Sequence, residues 1–502
     1  MLQREGFPWT HVDLTTGDGV EGCSVVIVTS PTDRAGLDTL AQFLHRGGAV
    51  LAAAAHVAGL GGSTVRREEL AYLVSDGDPV FPMVRLIDLD MEGQVPREAR
   101  HLRTPGGVFG VFAGPLAGGF AVLLPFDPGE VLFGTRTVDR AFYARHDRLP
   151  TERVSRVSRG EISSLIHDAL AFLHHARSIP YAHLWYYPGT RRNVLSFRID
   201  TDGSERGDID GLYDMLRSAS VPATWFLDVS AHEDWLAHFK RCEGHEIGLH
   251  CYRHRLHEDL RDQESDWQRG LALIRAAGFS PVGMAAPFGA WSPAVGQVID
   301  RLGLSYSSEF SYAYDTFPVV PSVPGGALRT LQLPIHPVST GSLRRSGFSI
   351  RHMKEYFIAV AESLLARDLP LAFYHHPTQR APGVFEALFD HIRARGIAPV
   401  RMDAMAQWWS GRMALTPSFR ADGGILEAAA AGKMREADAA IHVVFPSGED
   451  ALVEAGSTIE LRTVHRSPRQ LHIVPADVRA IREFDPRRAF GDMFTSLLRR
   501  LA

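Results

Sequence analysis

Four residues of this chain have the types and spacing for chemistry. Asp200 and Asp202 lie in Arg-Ile-Asp-Thr-Asp-Gly, and His250 and His254 lie in His-Cys-Tyr-Arg-His. Neutral imidazole and carboxylate are common ligands for Zn²⁺, at about 2.0–2.2 Å. Two imidazoles and one carboxylate leave positions for water, which is the composition of an open catalytic metal site. The second carboxylate is then free to act as a base. Neither pair is decisive alone. Asp-Thr-Asp-Gly-Ser is also good turn and N-cap composition. A His-x-x-x-His pair converges if the backbone turns helically after its strand. With 23 His in the chain, chance pairs such as His174-His175 are expected.

Each pair follows a short apolar run that reads as a buried strand, Asn193–Asp200 and His245–His250. Residues two apart at a strand end face the same side, so both carboxylates can point into one mouth. The same pattern continues through Pro222–Asp228, Pro281–Phe288, Ser305–Phe310, Thr330–Ile335, Leu371–His376 and Ala398–Met402. Helical stretches lie between them: 208–218, 231–241, 262–277, 293–302, 352–366 and 384–395. Seven or eight strands with crossover helices over residues 193–412 predict a closed or nearly closed α/β barrel. Its active site is expected at the strands' C-terminal ends.

The combination resembles the NodB-homology polysaccharide deacetylases of carbohydrate esterase family 4, over about 220 residues. The fold class it implies is a distorted (β/α)7-8 barrel. The family's first motif maps the catalytic base to Asp200 and a metal ligand to Asp202. Its His-(Ser/Thr)-x-x-His motif maps two further ligands to His250 and His254. Cys251 takes the Ser/Thr place, as a small buried residue filling that space or as a soft ligand. The third motif, Arg-x-Pro-x-Gly, is Ala285-Ala286-Pro287-Phe288-Gly289 here. Pro and Gly are kept, but the Arg that orients the base is Ala285. Arg198, on the first strand, is the basic residue placed to substitute. By the same resemblance the Phe288 N–H is the oxyanion donor, and Pro287 and Trp291 line the cleft. The late general acid falls in Phe373–Pro377, as His375 or His376. His376 precedes the Pro, and strand alternation turns His375 to the opposite face.

The resemblance implies metal-assisted hydrolysis of an amide with one divalent ion, zinc by first expectation. The expected substrate is an N-acetylated sugar or related amide. A second reading is a hydrolase of small cyclic amides or imides. A third is a non-catalytic, metal-containing glycan-binding protein, which gains weight from Ala285.

The rest of the chain is organised around that barrel. Residues 1–155 read as an open, largely parallel α/β sheet, flavodoxin-like or similar to class I glutamine amidotransferases. His11–Thr15, Cys23–Ser30, Ala49–Ala55, Gly107–Gly114 and Gly119–Asp127 are its strand candidates, and Asp38–His45 is a helix. Ala55-His56 stands where an amidotransferase needs its cysteine, so this domain is expected to be non-catalytic. The chain starts in what reads as the first helix, Leu2–Gly6, and the domain's first strand is expected upstream. Residues 156–192 form an amphipathic helix, Glu161–Ala176, and an aromatic connector. Residues 413–502 read as a small β-rich domain with a terminal helix over Arg488–Leu501.

A length of 502 residues requires several cores. A net charge of −5 argues against a nucleic-acid partner. No apolar run reaches the length of a membrane span. Three cysteines cannot build a disulfide framework and, with no leader visible, suggest the cytoplasm. An exported enzyme with a missing start is the alternative. Oligomeric state has no signature.

Overall fold

The fold is taken from a computed structural model that describes residues 2–142, 150–422, 424–432, 438–456 and 458–469. Its central sheet curls through Leu331–Gln332, Tyr306–Ser307, Gly283–Met284, Glu246–Cys251, Thr224–Asp228, Val194–Asp200 and Leu371–His375, in that spatial order. Ala398–Val400 adds an eighth strand against Val194–Asp200. Every pairing between these strands is parallel, as expected of strands covered on both faces by sheet interior and helices. All seven residues of Val194–Asp200 are buried.

All eight expected strands are present, several of them shortened. Pro281–Phe288 shrinks to Gly283–Met284, and Thr330–Ile335 to Leu331–Gln332. Pro281, Pro287 and Pro334 have no N–H to give to a ladder, which limits both. The sheet does not close as a ring of paired strands. At its seam, the His336 N–H donates to the Ala372 carbonyl at 2.9 Å. The expected barrel is therefore a curled parallel sheet, open between Leu331–Gln332 and Leu371–His375. The helix expected over 231–241 is a short α-turn, Val229–His232, followed by a 3-10 segment, Glu233–Arg241, which breaks at Trp235.

The N-terminal unit departs from expectation. Its seven strands include one parallel trio, Val26–Val28, Ala49–Ala53 and Gly119–Leu124. The remainder, Phe109–Leu116, His101–Arg103, Val65–Val74 and Leu86–Pro96, is antiparallel. The sheet is thus mixed rather than largely parallel. Ala117 and Gly118, both with positive φ, turn the chain straight back, so Phe109–Leu116 and Gly119–Leu124 pair as an antiparallel hairpin. His11–Thr15 forms no strand. A second hairpin, Thr137–Ala141 with Thr151–Ser155, leaves this unit toward the barrel.

The helix Arg159–Ala176 lies between the two units and is buried all round for its first three turns. Its Glu161 carboxylate is paired with Arg85 of the N-terminal unit at 2.7 Å and Arg367 of the barrel at 2.8 Å. The aromatic connector holds an unforeseen strand, Tyr181–Leu184, which pairs with Ala440–Val444 of the C-terminal β-region. The expected helix Arg488–Leu501 lies outside the described residues. Among the described residues, no helix is long and apolar enough to cross a membrane.

Candidate metal centre

Parallel strands deliver their C-terminal ends to one mouth. The register pairing Ile199 with His375 and Asp200 with Phe226 brings Asp200 to Asp202 out beside His376. The Thr201 N–H donates to the Phe226 carbonyl at 3.1 Å, and Asp202 then takes a positive φ of 23° ahead of Gly203. The following helix, Arg206–Ala219, is capped by Glu205 in a reciprocal box with Asp208. Neither Asp200 nor Asp202 serves as its cap, which removes the simplest structural account of the pair.

His250 lies near the end of Glu246–Cys251, and His254 follows on a bend rather than the helical turn that their spacing suggested. Asp266 of the helix Leu260–Ala276 shapes that bend. Its Oδ2 accepts the N–H groups of Tyr252 at 3.3 Å and Arg253 at 3.2 Å. The His250 and His254 Nε2 atoms lie 3.1 and 3.4 Å from Asp202 Oδ1, and His376 Nε2 lies 3.2 Å from Asp202 Oδ2. One ligand atom each from Asp202, His250 and His254 falls within 4.8 Å of the others.

A cation fits these atoms better than a hydrogen bond does. The Ala285 carbonyl can only accept, so its 2.6 Å contact with His250 Nδ1 places a proton on Nδ1. In its neutral form His250 then presents the Nε2 lone pair to a carboxylate oxygen. Both His250 Nε2 and Asp202 Oδ1 are buried without a hydrogen-bond partner. Two buried acceptors facing each other need a positive charge between them. A divalent ion held by His250, His254 and Asp202 would supply it, with the Ala285 carbonyl orienting the first imidazole. Burial pushes the Asp202 carboxyl up, but hydrogen bonds donated by His250, His254 and His376 in their protonated form outweigh it and hold it well below the usual carboxylate range. Burial lowers His254, and contact with Asp202 more than restores it.

Asp200 is held by a different partner. Arg198 Nε and Nη2 reach Asp200 Oδ1 and Oδ2 at 2.7 and 2.6 Å, a bidentate fork. The guanidinium is buried, donates also to the Ser308 carbonyl, and lies 5.5 Å from the ring centres of both Phe226 and Tyr374. The positive charge absent at Ala285 is therefore present, supplied two residues upstream of the carboxylate.

The third-motif turn, Pro287–Gly289, carries a positive φ of 62° at Phe288. For a non-glycine residue that conformation costs about 1–2 kcal/mol, so surrounding contacts must hold it. Ser311 Oγ donates to the Gly289 carbonyl at 2.7 Å and accepts the Trp291 N–H at 2.6 Å. The exposed Phe288 ring meets His254 edge-on, with centroids 4.9 Å apart. Pro287 is buried, and so is Trp291, whose ring packs on Tyr312 at 4.3 Å. Trp291 was expected in the cleft, but its place is beneath the turn. His375 points away, toward Thr340 and Phe385. Buried Cys251 approaches Asp228 at 3.7 Å.

Two buried carboxylates join the site without having been singled out. Asp228 ends the strand Thr224–Asp228, and burial pushes its carboxyl up. Its position at a barrel strand's C-terminal end was the available signal. Glu309 accepts the Ala286 N–H and the Gln332 amide, both at 2.8 Å. Only the tertiary structure brings these segments together.

A family model described as polysaccharide deacetylase matches residues 190–307. That span includes the first three motifs and stops short of His376. No curated protein matches the chain. Among solved structures, a probable polysaccharide deacetylase from Pseudomonas aeruginosa PAO1 is 19% identical, with a TM-score of 0.37. The match covers 44% of this chain and 91% of that one. Puue allantoinase is 18% identical, with a TM-score of 0.36, over 45% of this chain and 92% of that one. A family 4 carbohydrate esterase from Streptomyces lividans, in complex with acetate, is 13% identical, with a TM-score of 0.30, over 41% and 91%.

Proposed function

We propose that this chain is a metal-dependent amide hydrolase of the carbohydrate esterase type, removing an acetyl group from an N-acetylated sugar or a related amide. Asp202 Oδ1 and His250 Nε2, buried 3.1 Å apart without a hydrogen-bond partner and with His254 Nε2 3.4 Å from the same oxygen, are the observation that supports it most. A divalent ion held by Asp202, His250 and His254 supplies Lewis-acid polarisation of the acyl carbonyl and activation of water.

The protein's own groups supply the remaining steps. Asp200 accepts the proton of the attacking water, and the Arg198 fork keeps its carboxylate oriented while it does so. Each Asp200 oxygen keeps a further lone pair beside its bond to Arg198. His376, on the other side of Asp202, delivers a proton from Nε2 to the departing amine. The Phe288 N–H, on its left-handed turn, donates to the oxygen that becomes negative as the carbonyl is attacked. The Arg198 fork also removes the weight that Ala285 lent to a binding protein without turnover.

Metal analysis and product release test this reading together. Wild type is expected to hold one divalent ion per chain and to release acetate from acetylated chito-oligosaccharides. His250→Ala is expected to lose the ion. Asp200→Asn is expected to keep the ion and lose at least about a hundredfold in turnover. Absence of a bound ion in wild type would sink the metal site. Ring-opening of small imides without acetate release would transfer the same residues to the other substrate class.

A further inference from the structure

The hairpin Thr137–Ala141/Thr151–Ser155 belongs by sequence to the N-terminal unit, yet it packs on the barrel's seam. Val154 is completely buried there, in one cluster with Phe310, Ile335, Ala372 and Tyr374. Phe142, just beyond the first hairpin strand, meets His336 and Tyr314 edge-on at 5.9 and 5.8 Å. Glu152 accepts a hydrogen bond from Ser342 and lies 3.6 Å from Arg345, both on the helix Thr340–Arg345 beside the seam. The hairpin thus fills the gap that the curled sheet leaves open.

Two of the residues clustered with Val154 lead directly to the proposed reacting groups. The Tyr374 ring lies 5.4 Å from the His376 ring and faces the Arg198 guanidinium. Its hydroxyl is tied to the Pro337 carbonyl at 2.9 Å. Phe310 fills the space at Gly289 so closely that a Cβ there would lie 2.3 Å from its ring. Gly289 sets the turn that carries Phe288. Phe310 and Tyr374 touch each other, with ring centres 6.0 Å apart. Val154 therefore backs both the acid side and the oxyanion side of the site. The metal ligands His250 and His254 are held by other groups, Ala285 and Asp266.

We propose that Val154 of the N-terminal hairpin is a positioning residue for the reaction, setting His376 through Tyr374 and the Phe288 turn through Phe310. The N-terminal unit is then a working part of the active site. This rests on the deacetylase reading for its catalytic readout, so the test carries a second readout that does not need turnover.

The test compares wild type, Val154→Ala, Val154→Ile and Leu73→Ala in the full chain. Leu73 is a buried core residue of the N-terminal sheet and serves as a stability control. Misplacing reacting groups by about 1 Å can cost about a hundredfold, so Val154→Ala is expected to lower kcat by about ten- to a hundredfold, with bound metal unchanged. Val154→Ile is expected to recover most of that loss, and Leu73→Ala to lower Tm while keeping kcat per metal-loaded chain. Amide hydrogen exchange is expected to quicken in residues 288–292, 308–313 and 374–378 of Val154→Ala alone, with residues 246–256 unaffected. Equal kcat and equal exchange in Val154→Ala and Leu73→Ala would overturn the proposal. If wild type releases no acetate, the deacetylase reading fails and the exchange arm decides this one. Selective loosening of the three segments supports the coupling, and unchanged exchange rejects it.

Discussion

Arg198 and Asp200 are two apart on one strand, so their side chains leave it on the same face. That spacing lets a guanidinium fold forward onto both carboxylate oxygens without help from a distant loop. Both groups are buried, and removing one leaves the other charged and unpaired. Breaking a buried pair in this way costs about 3–5 kcal/mol. Arg198→Ala is therefore expected to lower Tm markedly and to abolish turnover while His250, His254 and Asp202 still bind metal. Arg198→Lys keeps the charge but not the fork, and is expected to fall between the two in both assays. Full activity in Arg198→Ala would show that Asp200 needs no orienting cation. At this scale the residue types were readable, and so was the candidate substitute for the lost Arg. The bidentate geometry was not, because it depends on the depth to which both side chains are buried. Trp291 shows the same limit from the other side: an aromatic beside a cleft motif can face the core.

Strands carry chemistry at one end and stability at the other. Glu246 starts the strand Glu246–Cys251, whose far end bears His250. It accepts the Tyr306 and Thr224 hydroxyls, each at 2.7 Å, and the Asp403 N–H at 3.0 Å. Burial, then the neighbouring Asp403 charge, push its carboxyl from an ordinary 4.5 up to about 7. The folded protein keeps this proton where the unfolded chain has lost it. The resulting stabilisation is complete below the unfolded value and disappears as pH rises through the folded one. Melting curves between about pH 5 and about pH 8 should show a wild-type Tm that falls relative to Glu246→Gln as pH increases. A constant difference across that range would exclude Glu246 as the titrating group. The existence of these strands was legible in apolar runs bounded by turn residues. Their shortening at Pro281, Pro287 and Pro334 was legible in principle, since a missing N–H ends a ladder. The mixed N-terminal sheet was harder, because a buried apolar strand reads the same whether its neighbour is parallel or antiparallel.

At the scale of the molecule, the units share buried charge as well as apolar surface. Glu161 takes Arg85 from one side and Arg367 from the other, and all three are coupled across the central helix. A chain beginning at residue 178 would leave Arg367 without its carboxylate and uncover Phe310, Ile335, Ala372 and Tyr374. It is expected to be insoluble or to melt well below the full chain, by light scattering and calorimetry. A truncated chain that stays soluble, with unchanged Tm and metal content, would show that the barrel stands alone. The connector contributes to the same integration, since Tyr181–Leu184 completes the C-terminal sheet and Tyr186 stacks on Phe317 at 3.9 Å.

What the sequence determined by itself is local. Apolar runs bounded by turn residues marked the eight barrel strands, and spacing put two carboxylates and two imidazoles at strand ends. The tertiary structure decided what those groups meet. Parallel register placed His376 against Asp202, the Ala285 carbonyl chose the His250 tautomer, and burial folded Arg198 onto both oxygens of Asp200. It also brought an N-terminal hairpin to the barrel's open seam, behind Tyr374 and Phe310. Periodicity and residue type report on neighbours in the chain. Contacts between residues far apart in sequence depend on packing, which no single segment encodes.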